Sequence, residues 1–555
     1  MKSKRVLALM ATLLMGATAI SSFSACGGTS MGEEEDTTKA NIYVGTYAGG
    51  VGRAWLDDAA KRFEDLHVNS THFQEGRTGV KIHVDASEEY SGGTLVEKTL
   101  KRDIYFTESV DYYKFVNRNK VANLSDIVTG SMEDYGEEGT IEDKLDSSFK
   151  AYLKSYDGDY YMLPFYDGFY GFIYDVELFE EEGFYTDVDG DEAYFKAEDH
   201  KDLSEKELEA AREEWKATLS AGPDGQKGTY DDGLPATYDE LLDLVERINS
   251  KCTPFVYSGK YNDYVSKAFR SFAVDYEGYD ASVMNYTFSG TASLVKTINA
   301  DGTLEMEDVE ITEENGYELQ RQAGKYYALK MQEELFGSNK YLGSTWNSYD
   351  FTEAQEYFVL SKYRTNKYAI LAEGVWWENE ASAAFNTQEN SFGEKKESRR
   401  FAFLPTPKAP GKAAGEQTLL SQNSSFAFID ANCENMELAK EFMRFLHTDA
   451  EMSKFSAKTS ISRSLNYDVD PADRETATYF GQSVIDMRAN SKVVYPYSSS
   501  ELVIENPDNF DANTWFMFST KGENPFIAFK NGSATAEEYF NGLYSYQKNA
   551  WKKLD

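Results

Sequence analysis

The chain has 555 residues, with 94 acidic against 56 basic side chains and a formal net charge of −38 at pH 7. So acidic a surface lacks the positive charge that phosphate recognition needs, which excludes nucleic acid as a partner and reads as a solvated, self-repelling exterior. No apolar run beyond the N-terminal one approaches membrane-spanning length, and 41% hydrophobic residues over this length is ample for two or more folded lobes.

The first five residues, Met1-Lys2-Ser3-Lys4-Arg5, carry three positive charges, and residues 6–20 follow without a charged side chain. The run falls short of the ~20 residues that cross a bilayer, so residues 1–25 read as a signal peptide. It ends Phe23-Ser24-Ala25-Cys26-Gly27-Gly28, which resembles the bacterial lipobox, with Phe23 where Leu is usual. The resemblance implies that Cys26 is lipidated and becomes the new N-terminus, anchored to the outer face of the cell membrane. Residues 26–40 are small, polar and acidic around Glu33-Glu34-Glu35-Asp36, and are expected to form a flexible tether. Within them Gly28-Thr29-Ser30-Met31-Gly32 matches a hydrolase nucleophile motif in letters alone, without the strand before it or the helix after it. Cys252 and Cys433 fit no zinc or redox spacing and read as free thiols, with a disulfide the extracellular alternative.

Asn41-Ile42-Tyr43-Val44-Gly45-Thr46-Tyr47 is strand-like, and Ala54, Trp55, Ala59 and Phe63 then recur at helical spacing. Val80-Lys81-Ile82-His83-Val84 alternates as a half-buried strand, and Asp103-Ile104-Tyr105-Phe106 predicts a third. Strands alternating with a helix imply an α/β fold, in which ligands sit at the carboxyl ends of strands; here those ends hold Tyr47 and Glu108. The glycines at Gly49, Gly50 and Gly52 fit no dinucleotide fingerprint and predict a tight turn.

Further on, Tyr160-Tyr161-Met162-Leu163-Pro164-Phe165-Tyr166-Asp167-Gly168-Phe169-Tyr170-Gly171-Phe172-Ile173-Tyr174-Asp175 precedes a helical stretch at 176–182. Two other segments follow in order: Ala369-Ile370-Leu371-Ala372-Glu373-Gly374-Val375-Trp376-Trp377-Glu378-Asn379-Glu380, then Phe401-Ala402-Phe403-Leu404-Pro405-Thr406-Pro407 with Ser425-Phe426-Ala427-Phe428-Ile429 and a helix at 435–446. Together they resemble the family 1 extracellular solute-binding proteins of the maltose-binding-protein type. The resemblance covers residues 41 to about 184 and again 235 to 555. It leaves 185–234 as an insertion, whose middle, rich in Glu, Ala and Lys, predicts an exposed helix.

The resemblance implies two periplasmic-binding-protein-like lobes of discontinuous chain, hinged near Pro164 and Pro405, with a ligand cleft between them. One lobe is expected to take 41–165 and about 406–465, the other 166–405 and about 466–555. It further implies a monomer that captures a carbohydrate for the permease subunits of an ABC-type importer, without catalysis. The abundance of Tyr and Trp agrees, since rings stack on the apolar faces of sugars while polar groups hold the hydroxyls. By its place in the family pattern Trp376 is the expected stacking ring, with Trp377 the alternative, and Glu378 or Glu380 as hydrogen-bond acceptors. Tyr166 and Asp167 are expected at the cleft through the first crossover, and Trp346, Arg463 and Trp515 by residue type and approximate position.

A secreted hydrolase or lyase and a glycan-binding adhesin are the rival readings. No His in the chain falls in a metal spacing, and no catalytic motif survives. The glycine-punctuated acidic loop with Asp224, Asp231 and Asp232 has the oxygen-rich character of a structural Ca²⁺ site but not EF-hand spacing, so a solvated turn competes with it; Asp187, Asp189 and Asp191 form a second such group.

Overall fold

A computed structural model describes residues 35–47, 49–87, 91–261, 263–343, 346–506 and 524–554. The signal peptide, Cys26 and Trp515 lie outside the described residues.

The first sheet grows from the predicted N-terminal strands. β1 (Ala40–Thr46) pairs in parallel with β2 (Val80–Asp85) and β3 (Ile104–Thr107). Ile42, Val44, Ile82, Ile104 and Phe106 are buried, each burial contributing about 1.5–3 kcal/mol. The helix Ala54–Leu66 packs on this sheet through Trp55, Leu56, Ala59, Ala60 and Phe63, whereas Ala54, expected on that face, is exposed at its first turn. The strand before it is tied down rather than tethered. The Asn41 amide donates to the carbonyls of Asp36 and Lys39, and Arg77 pairs with Glu35, so residues 35–39 belong to the folded body, not to a flexible leader.

The chain leaves this lobe through β4 (Leu163–Pro164) and enters the second through β5 (Tyr170–Asp175), so the first crossing runs over residues 165–169. In the second lobe a hairpin, β6 (Tyr185–Thr186) with β7 (Glu192–Ala193), opens the 185–234 segment. Its helix Glu205–Lys216 buries none of its residues, as expected of an exposed helix. β8 (Thr253–Tyr257) precedes the helix Asp263–Thr287, which is interrupted at Gly278, where φ is 77°. A long antiparallel hairpin, β9 (Gly290–Ile298) with β10 (Leu304–Ile311), follows. The second sheet has the order β12-β5-β11-β8, adding β11 (Tyr368–Gly374) and β12 (Phe401–Leu404).

The second crossing does not fall at Pro405. After β12 the chain forms β13 (Gln417–Leu420), which pairs with β15 (Ser491–Val494) beside the helix Asp263–Thr287, and only then enters the first sheet as β14 (Phe426–Ile429). The crossing is therefore at residues 421–425, because the hydrogen-bonding partners of the strands, rather than the Pro405 motif, decide which lobe each segment joins. Helices Met436–Leu446 and Asp449–Thr459 complete the first lobe, and the chain returns through residues 460–478 to the helix Tyr479–Ala489 against β12.

The three crossings are bound to one another. Phe165 N–H donates to Ser425 O at 3.1 Å, Gln422 N–H to Gly168 O at 2.8 Å, and Asp167 N–H to Ser462 O at 2.9 Å. The Asp167 carboxylate, fully buried, accepts from Arg488 Nε at 2.9 Å. These bonds make a hinge whose backbone groups are paired although it is buried. Cys252 and Cys433 are both free and half-buried. Among the described residues no helix is long and apolar enough to cross a membrane.

Candidate functional site

A cleft of about 600 Å³ opens between the lobes at the carboxyl ends of β1, β3 and β11. The first lobe contributes Tyr47 and Gly50 from the turn after β1, and Glu108 from the end of β3. The second contributes Tyr170 at the start of β5, Tyr264 and Lys267 on the first turns of Asp263–Thr287, and Trp376 and Glu380 from the turn after β11. The second crossing supplies Gln422 and Asn423 to the same space.

The rings form a connected wall. Trp376 meets Tyr170 edge-on at 4.8 Å between centroids and 83° between planes, and Tyr170 packs against Tyr264 at 5.5 Å. The Lys267 ammonium lies 4.8 Å from the Tyr170 centroid. Gly374 is what lets the Trp376 ring fold back over the strand end: a Cβ there would stand 2.2 Å from the ring.

The carboxylates are held rather than loose. Tyr166 Oη donates to Glu108 Oε1 at 2.6 Å and itself accepts from Asn423 Nδ2 at 2.7 Å. Glu380 Oε1 accepts the Gly50 N–H at 3.2 Å from across the cleft, and Glu380 Oε2 accepts from Gln355 Nε2 at 3.2 Å. Burial pushes the carboxyls of Glu108 and Glu380 upward from the ordinary range, and Glu108 adds to the shift at Glu380 by like-charge repulsion. Glu373, at the end of β11, is raised further by burial and then by Glu380.

Of the residues picked out in the sequence, Tyr47, Glu108, Trp376 and Glu380 line the cleft together. Tyr166 stands one hydrogen bond behind, holding Glu108. The others sit elsewhere. Trp377 is 0% exposed and packs against Phe358, Phe385, Phe401 and Phe480, since at a helix start consecutive side chains point to different faces. Glu378 is turned away with it and accepts from Ser460 Oγ at 2.9 Å and Thr478 Oγ1 at 2.8 Å. Asp167 is spent on Arg488 in the hinge.

Arg463 is fully buried among Trp55, Phe106, Phe165 and Phe455, with Nη2 2.9 Å from His447 Nε2. Trp346, half-buried, stacks on Tyr257 at 6.0 Å against the second lobe's core. In the acidic loop, Asp231 accepts from Asp224 N–H and Thr229 Oγ1, and Asp232 from Gly228 N–H, so both carboxylates are satisfied within their own turn. Asp187 likewise accepts the N–H groups of Asp189 and Asp191. Among the described residues no three His, Cys, Asp or Glu converge as a metal-ligating set.

Tyr170, Tyr264, Lys267 and Asn423 were not picked out. Tyr170 stands inside the quoted crossover motif, where ring-rich sequence gives no sign of which ring faces the cleft. Tyr264 and Lys267 begin an ordinary amphipathic helix, and only tertiary contact brings them to the site.

No curated protein matches the chain in sequence. Solved structures share its fold. The GacH receptor of Streptomyces glaucescens, solved unliganded and with acarbose, aligns at TM-score 0.52 and 13% identity over 93% of this chain and 100% of its own. Apo RafE from Streptococcus pneumoniae aligns at 0.51 and 14% over 93% and 100%. The cyclic α-maltosyl-1,6-maltose binding protein of Arthrobacter globiformis gives 0.50 and 12% over 93% and 99%. The model of the bacterial extracellular solute-binding protein family matches residues 49–453, a span that takes in β2 to β14 and the first two crossings, and the chain belongs to that family.

Proposed function

We propose that this solute-binding protein captures an oligosaccharide in the cleft between its lobes and delivers it to the permease subunits of an ABC-type importer, acting without catalysis from a lipid anchor at Cys26. The observation that carries the reading is the wall of Tyr170, Tyr264 and Trp376, with Tyr47 across from it, beside fixed polar groups in a cavity of about 600 Å³. Rings present flat apolar faces to pyranoses, while Glu108, Glu380, Asn423 and Gln422 offer the acceptors and donors that fix hydroxyls. The likeness in fold to proteins solved with acarbose and raffinose supports the same ligand class.

Binding would select the arrangement in which both lobes touch ligand, by its differential affinity for that state. Contacts already join the lobes at this turn: besides Glu380 with Gly50, Asn379 Nδ2 donates to Thr459 O at 2.8 Å. Calorimetric titration of the mature protein against a panel of oligosaccharides tests the reading. Saturable binding with the sugar recovered intact supports it, whereas release of shorter products would assign the chain to an enzyme class.

A further inference from the structure

Two carboxylates, Glu108 and Glu380, line the ligand space and a third, Glu373, lies behind them. Glu108 from the first lobe and Glu380 from the second converge on one backbone position, Gly50. The Gly50 N–H reaches Glu380 Oε1 at 3.2 Å, and a Cβ at Gly50, whose φ is +58°, would stand 3.2 Å from Glu108 Oε1. Glu373, 1% exposed, lies behind Glu380. Its Oε1 accepts the Gly374 N–H, and the Gln355 amide, 3.2 Å from Glu380 Oε2, lies within reach of both carboxylates.

The cations nearby do not balance them. Lys267 and Arg270, on the same helix, both reach Asp263, at 3.3 and 3.7 Å. Asp111, also at the cleft, is matched by Lys114 at 2.9 Å. That leaves Glu108, Glu373 and Glu380 without an ion pair to Lys or Arg among the described residues, with Lys267 as the cation whose field reaches Glu108 and Glu373. Burial raises all three carboxyls toward the neutral acid, and a further cation seated beside them would favour the ionised form.

A neutral sugar hydroxyl donates hydrogen bonds to a carboxylate but leaves its charge buried. An ammonium group satisfies both, and the faces of Trp376, Tyr47 and Tyr264 offer further favourable contact to a cation within about 6 Å. We propose that the preferred ligand carries a protonated amine, an oligosaccharide with free amino-sugar units, seated between Glu108 and Glu380 against the ring wall. The inference rests on the oligosaccharide reading above and names the substrate class of that same cleft.

The test uses matched probes: fully deacetylated glucosamine and galactosamine tetramers against their N-acetylated and unsubstituted counterparts, titrated near neutral pH at low salt. The amino member of at least one set is expected to bind about tenfold or more tighter than its partners, an advantage that added salt erodes. Glu380→Gln should erase the amino member's advantage over its matched neutral partners, measured as the ratio of their affinities in the variant, and Glu108→Gln serves the same purpose if Glu380→Gln lowers the melting point. Tighter or equal binding of the neutral members overturns the amine inference and leaves the oligosaccharide reading standing. No binding of these probes or of any sugar in the wider panel overturns both.

Discussion

Truncating Trp376 separates a ligand-stacking ring from a core strut. The ring is 4% exposed, lies edge-on to Tyr170, and has one side on the cleft. As a stacking surface at the centre of the site it should contribute about 2 kcal/mol of affinity, a loss of roughly 30-fold in Trp376→Ala. Core Trp→Ala changes cost about 3–5 kcal/mol of stability, and Trp376, almost wholly buried, falls in that range. Trp376→Phe keeps an aromatic face and should lose less than about tenfold in affinity. Trp377→Ala is the control: enclosed by four rings and turned from the cleft, it should cost stability at the upper end while leaving affinity near wild type. Isothermal calorimetry with the best-binding oligosaccharide, run beside urea denaturation of each variant, reads both quantities. Unchanged affinity in Trp376→Ala alongside reduced stability would refute the stacking role.

Arg488→Met should destabilise the fold by about 3–5 kcal/mol in urea denaturation, because it leaves the fully buried Asp167 carboxylate in the hinge without its partner; a loss under about 1 kcal/mol would contradict the buried pair. Glu277 accepts the Gly324 N–H at 2.7 Å, and burial pushes its carboxyl up to about 7 from 4.5. The native state therefore holds a proton that the unfolded chain has released, and this stabilisation, present at low pH, is lost as pH rises through that window. Melting curves from pH ~5 to ~8 should fall less steeply for Glu277→Gln than for wild type, and parallel curves would contradict the assignment. Cys26→Ala should shift the expressed protein from the membrane fraction to the medium or soluble extract, while retention on membranes would argue against lipid anchoring.

Much of the first lobe was legible because its signals are local. Ile42, Val44 and Ile82 alternate as strands do, and the rule that ligands sit at carboxyl strand ends points to Tyr47 and Glu108. The turn after β11 was legible as a unit but not in its facing. Trp376 and Trp377 differ by one residue, and so by about 100° around a helix, so sequence names the pair and packing decides between them. The same rotation put Glu380 in the cleft and Glu378 against Ser460 and Thr478.

Pro405 looked like a hinge because a short strand ends there, yet β13 still belongs beside β15, a pairing between residues more than 70 apart that no local pattern encodes. Asp167 and Arg463 were charged residues near the expected cleft. Each is instead buried against a partner away from the cleft, Arg488 and His447, which is information carried only by the fold.

The central claim is that the cleft binds an oligosaccharide and leaves it unchanged. Titrating the mature protein with an oligosaccharide library by calorimetry, and then chromatographing the sugar after prolonged incubation, tests it directly. The account predicts saturable one-to-one binding of at least one member, weakened in Trp376→Ala, with the sugar recovered intact. Cleaved products, or no heat with any member, would contradict it.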